Sequence, residues 1–284
     1  MKQNRLSEIA MLVRLSGHQW TGQKKDKMAT HSSCVANQAK EDAISVIVNL
    51  MPPSELKPVT SAWGRVYRKF HELTLPMYDG GLRVLPSAMY MSFRSEMQEL
   101  TRAYHDAVDV LIKRWPEIIK ASPDRLGKLA SNHRLPSAAD LKSRFWIGQD
   151  ILPMPEISDF RLDMPDEVAE DVMAEIARGI NAGTANSTIE LYSRLSDLVG
   201  EVAETMGQPD KKFRDTIITK LKKFCDVIPK YNITDNAELN KVRDEVMSKL
   251  AGLDPEDLRE IPNHRKKAGK DAKDILAKIS GYMK

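Results

Sequence analysis

The stretch LSGHQWTGQKK, residues 15–25, is where this chain comes nearest to a known chemical device. Gly17 and Gly22 stand four residues apart with lysines after them, as in a loop that wraps a phosphate chain. That device needs a lysine directly after the second glycine, to reach the terminal phosphates, and then a Ser or Thr to hold magnesium. Here Gln23 takes the lysine's place, Lys24 comes one residue late, and Lys25 stands where the hydroxyl belongs. Bulky His18, Gln19 and Trp20 fill the loop, and the next apolar run, AISVIVNLMP, does not end in Asp. A nucleotide-hydrolysing loop is therefore not expected. The segment has other assets, because Trp20 precedes Lys24, Lys25 and Lys27. An aromatic ring beside cations holds single-stranded nucleic acid without reading its sequence. The competing reading puts Trp20 in the core and the lysines at a helix start. WGRVYRKF repeats the combination, with Arg65, Arg68 and Lys69 off the face that carries Trp63. Further on, HRKKAGKDAK adds Arg265, Lys266 and Lys267, as a basic linker before a last helix or as a docking tail.

Other chemistries find less. His31 and Cys34 in HSSC make half of a metal site, but the only other cysteine is the distant Cys225. HELTLP lacks the second histidine of a zinc-protease helix, and no Gly-x-Ser-x-Gly elbow occurs. The expectation is no catalytic residue, no metal and no cofactor: a protein that is not an enzyme. Two cysteines make no disulfide framework and suit a reducing cytoplasm. The apolar runs at Ile9 to Val13 and in AISVIVNLM are too short for export or membrane insertion.

The net charge of +3 conceals a division along the chain: +3 over residues 1–60, +5 over 61–148, −10 over 149–206 and +5 over 207–284. Nucleic acid is one partner for the basic regions. The acidic block, with Glu170, Asp171 and Glu175, is either a solvated helix face or a surface for a basic protein or a second copy of the chain.

The elements that must position these residues are mostly helical. Leu56, Val59, Trp63, Val66, Phe70 and Leu73 alternate steps of three and four, which predicts one helix with an apolar seam. A second opens at Ser87 and carries Phe93, Met97, Leu100, Tyr104, Leu111 and Trp115 until Pro116 disturbs it. Joined by the turn-rich LPMYDGGLRVLP, the two are expected to pack as a long antiparallel hairpin. IAMLVRLS, AISVIVNLM and GLRVLP are strand candidates, with DFRLDM as a further one. Beyond Pro165 helical pattern resumes, weakened at RGINAGTANST, and continues as separate seams at 191–202, 213–228, 239–250 and 271–282. The fold class is mainly α with a small β component: a 1–150 domain with the small sheet and the long hairpin, then a 151–284 helical region, acidic and afterwards basic.

WTGQKKDK, the run Thr74-Leu75-Pro76, Asp79-Gly80-Gly81, Arg83, Leu85-Pro86 and Tyr90, and then FWIGQDILPMPEISDFRLDM resemble a family of phage and prophage proteins classed as a domain of unknown function. The resemblance covers residues 12–165 and carries no assigned catalytic residues. It implies a cytoplasmic phage product encoded near DNA-metabolism genes and near AAA+ ATPases related to metal chelatases. The function expected from both lines is a nucleic-acid-binding accessory protein in phage DNA metabolism, with single-stranded DNA as its ligand. The alternative is an adaptor that self-associates or docks a protein such as an AAA+ ATPase or a host defence component.

Overall fold

The computed structural model describes residues 6–155, 166–208 and 215–283. A single helical turn, α1 (Leu6–Ile9), leads into strand β1 (Ala10–His18), followed by β2 (Gln23–Lys25), α2 (Lys27–Ala36) and β3 (Ile47–Asn49). Then come α3 (Pro53–Glu72), β4 (Leu75–Pro76), β5 (Leu82–Pro86) and the long α4 (Tyr90–Leu126). α5 (Ala138–Ser143) and β6 (Trp146–Pro153) precede the C-terminal helices α6 (Asp166–Gly207), α7 (Thr216–Tyr231), α8 (Ala237–Val246), α9 (Pro255–Glu260) and α10 (Pro262–Tyr282). The protein is mainly α with a small β component. A four-stranded sheet has the order β4-β5-β1-β6, and β2 pairs with β3 in a separate ribbon.

Two compact units share this chain. The first comprises residues 1–14, 73–90 and 151–284; the second comprises 15–72 and 91–150. Placing all of 1–150 in one body does not hold, because residues 10–14 pair antiparallel with β5, which itself pairs with β4, from Leu75 opposite Val84 to Pro76 opposite Arg83. β4 lies against α6 and β5 against α7. In the same unit Tyr231 donates from its hydroxyl to the Leu73 carbonyl (3.0 Å), and Arg194 donates to that of Thr74 (2.9 Å).

In the second unit α3 and α4 form the expected antiparallel hairpin. Glu55 meets Arg114, Trp63 meets Tyr104 and Phe70 meets Phe93, so residues late in one helix face residues early in the other. The seam is buried, with Val59, Val66, Met97 and Tyr104 essentially inaccessible. α4 continues through Pro116, although proline removes a backbone donor, because Trp115 and Ile118 on either side are held in the core. The DGG run closes the β4–β5 hairpin and is not the tip of the helical one. Gly80 and Gly81 take φ of 81° and 87°, the left-handed region that favours glycine.

In the first unit α6 is one continuous helix of 42 residues. RGINAGTANST does not break it, since Gly183 is a packing device: a Cβ there would lie 2.4 Å from the Met77 carbonyl oxygen. α10 and α7 both pack on α6, burying Leu195, Val199 and Val202 with Ile275 and Ile279 of α10 and Leu221 of α7. HRKKAGKDAK belongs to α10 and is not a linker; its Ala268, Gly269 and Ala272 are the buried seam. Of AISVIVNLM only Ile47–Asn49 is strand, and DFRLDM lies outside the described residues.

Candidate anion-binding cleft

The phosphate-loop geometry is absent at Gly17 and Gly22. Gly17 lies within β1, where the Trp63 ring sits so close that a Cβ would be 2.4 Å from its Cη2 atom. Gly22 makes a turn with φ of 67°, and Lys24 follows on a strand and not at a helix start.

What this segment helps to build is a cleft of about 900 Å³ in the second unit. Trp20, Gln23 and Lys24 line it from one stretch of chain, and Arg134, Leu135, Pro136 and Ser137 line it from another. Arg144, Leu50, Ile119 and Asp140 complete it. Lys24, Arg134 and Arg144 are exposed, and among the described residues none has an acid within ion-pair distance. The one acid, Asp140, accepts the Ser137 hydroxyl at 2.7 Å, while its backbone N–H returns a bond to Ser137 Oγ (3.1 Å) at the start of α5. That is a side-chain N-cap. The cleft therefore pairs an apolar floor with an excess of cations, and a site of this volume falls in the range, about 300–1,000 Å³, that encloses a small ligand or a few linked groups.

Two buried features tie its walls. Trp115 of α4, fully buried, donates from its indole nitrogen to the Pro136 carbonyl (3.0 Å) and meets the Trp20 ring edge-on at 5.7 Å. Beneath Lys24 and Arg134, the Asp26 carboxylate accepts Nε2 of His133 at 2.8 Å and the Asn132 amide at 3.2 Å. Its other oxygen caps α2 by accepting the Ala29 N–H (2.8 Å). These bonds hold the Asp26 carboxyl below the usual carboxylate range, the Ala29 amide contributing most, so it is ionised at neutral pH and accepts from Nε2 of His133. Nδ1 of His133 is enclosed and without a partner, so this His–Asp pair offers no nitrogen to a substrate. Nothing in residue spacing announces it, as Asp26 and His133 are 107 residues apart.

The other sequence-derived residues fall out differently. Trp20 is buried (8% exposed), so it is no open stacking platform; it anchors one wall of the cleft. Lys25 and Lys27 are exposed, as are Arg65 and Arg68 on α3, none of them in the cleft lining. Lys69 is committed to Glu72 and Glu96, at 2.9 and 3.2 Å. Arg265 donates to the carbonyls of Thr205 and Gln208, both at 2.8 Å, and so satisfies the C-terminal end of α6. Lys266 and Lys267 are exposed on the same helix, in the other unit. Glu170, Asp171 and Glu175 are exposed on α6. His31 pairs with Glu41 (3.1 Å), and Cys34 lies buried beside the Lys40 carbonyl; among the described residues no His, Cys, Asp and Glu gather to hold a metal. No helix among them is long and apolar enough to cross a membrane.

Compared with known proteins, the chain matches no family, no curated protein and no solved structure.

Proposed function

We propose that this is a non-enzymatic protein that binds single-stranded nucleic acid without reading its sequence, an accessory to phage DNA metabolism in the cytoplasm of the infected or lysogenic cell. The observation that carries it is the convergence of Lys24, Arg134 and Arg144, unpaired, on one cleft with an apolar floor. Cations supply phosphate contacts, and apolar side chains accept bases of any identity. Apolar side chains beside the cations favour a single strand, whose bases are unstacked and free to meet them. Exposed Lys25, Lys27, Arg65 and Arg68 extend the positive surface of the same unit. The phage setting rests on the resemblance of the WTGQKKDK, Thr74–Tyr90 and FWIGQDILPMPEISDFRLDM stretches.

The test is a salt titration of binding to a labelled oligothymidylate and to a duplex of equal length. Three neutralised phosphates on a single strand give a slope of log affinity against log salt of about −2. Reversing Lys24, Lys25 and Lys27 to Glu lowers affinity at least tenfold. Equal affinity of the triple variant and the parent would remove this surface.

One observation favours an adaptor role beside it. Glu170, Asp171 and Glu175 are unpaired among the described residues and lie about 45–53 Å along α6 from Thr205, at roughly 1.5 Å per residue. They are therefore free for a basic protein partner, such as an AAA+ ATPase, a host defence component or a second copy. Retention of a partner that is lost on reversing these three acids tests it.

A further inference from the structure

We infer that Asp26 and His133 are positioning residues of the cleft, whose buried hydrogen bond sets the spacing of Lys24 and Arg134 for the phosphates of one strand. This rests on the reading of the cleft as a nucleic-acid site. Lys24 lies two residues before Asp26, and Arg134 directly follows His133, so the bond joins the two stretches of chain at the points where their cations emerge. The pair is enclosed, with side chains 2% and 3% exposed, so neither group touches a ligand and each acts through its neighbour. Asn132 doubles the tie from the same stretch, and Trp115 holds both stretches from α4.

The physical reason for such a tie is repulsion. Two unpaired cations lining one cleft push apart when it is empty, and loose walls would let them separate. Each strand would then have to draw them together again at the expense of affinity. A buried bond between the walls fixes the spacing when the protein folds, so the ligand meets charges already in place.

The experiment uses the full chain, a labelled oligothymidylate and a salt titration at about 10 °C, where a moderately destabilised variant stays folded. His133→Leu removes the bond, His133→Asn is polar but too short to reach Asp26, and His133→Gln places an amide N–H near the position of Nε2. The expected result is a 5- to 30-fold loss of affinity and a shallower salt slope for the Leu and Asn variants, with the Gln variant within about threefold of the parent. Adding Lys24→Ala and Arg134→Ala to His133→Asn then costs much less than the same pair costs alone, because residues that act as a unit are not additive. Folded Leu or Asn variants that bind as the parent does, with the same slope, would overturn the inference while leaving the proposed function standing. A parent that binds no strand at low salt sinks both.

Discussion

His133 and Asp26 are joined at 2.8 Å across 107 residues of chain, inside a unit that the chain enters twice. The acid member titrates well outside the neutral range. Its folded pKa lies below its unfolded one, so the stability it contributes is complete above about pH 4 and fades as pH falls through the folded value. The melting-temperature gap between the parent and Asp26→Asn that is due to the carboxylate therefore narrows as pH falls below about 4. A gap that changes chiefly between about pH 6 and 7 would assign the effect to a histidine instead.

Two glycines of α6 are predicted to respond with opposite signs. A methyl group at Gly183 meets the Met77 carbonyl at 2.4 Å, whereas one at Gly200 meets nothing within 4 Å. Gly183→Ala should destabilise by about 1–3 kcal/mol through overpacking against backbone. Gly200→Ala should stabilise by about 0.5–1 kcal/mol, since alanine loses less entropy in a helix. Urea titrations of both variants check the pair.

The cations predicted from sequence separate into structural and available ones. Arg265→Ala should lower stability by about 1–2 kcal/mol, having left two carbonyls at the end of α6 unsatisfied. Lys266→Ala with Lys267→Ala should leave the melting temperature unchanged. Lys69→Ala, removing a lysine that already has two carboxylates, should keep oligonucleotide affinity within about twofold of the parent. A large affinity loss there would return Lys69 to the interface.

Both thiols should resist modification until the protein unfolds. Cys225 is inaccessible and its thiol is pushed up to about 12 by burial, and Cys34 is only 3% exposed. A disulfide reagent at neutral pH should titrate neither in the native protein and both in denaturant, because both sulfurs are enclosed and the Cys225 thiolate is scarce besides. Rapid modification of one native thiol would contradict the packing around it.

Much of the architecture is legible before folding is considered. The three- and four-residue steps of Leu56 to Leu73 and of Phe93 to Trp115 mark α3 and α4, since a helix that buries one face needs that period. The strands β1 and β5 coincide with the short apolar runs IAMLVRLS and GLRVLP. Gly179 and Gly183 misled, because low helix propensity and a close packing contact look alike in sequence. Pro116 misled for the same reason: tertiary burial outweighs local preference. In HRKKAGKDAK the lysines hide a seam made only of Ala and Gly. At the cleft, Trp20 and Lys24 are legible by type in one short stretch, whereas Arg134 and Arg144 lie more than 100 residues further along and only the fold brings them to the same lining.

The interleaved order of the two units also sets a timetable for synthesis. The second has all its residues once Asp150 is made, whereas the first must wait for its C-terminal helices. Translation at about 5–20 residues per second makes that wait on the order of ten seconds. Leu75, Val84 and Leu85, all fully buried in the finished protein, spend it on a nascent chain that lacks α6 and α7. An uncovered apolar hairpin of this kind is what chaperones bind and what aggregates recruit, so the interleaving leaves this hairpin exposed until the helices that cover it have been made.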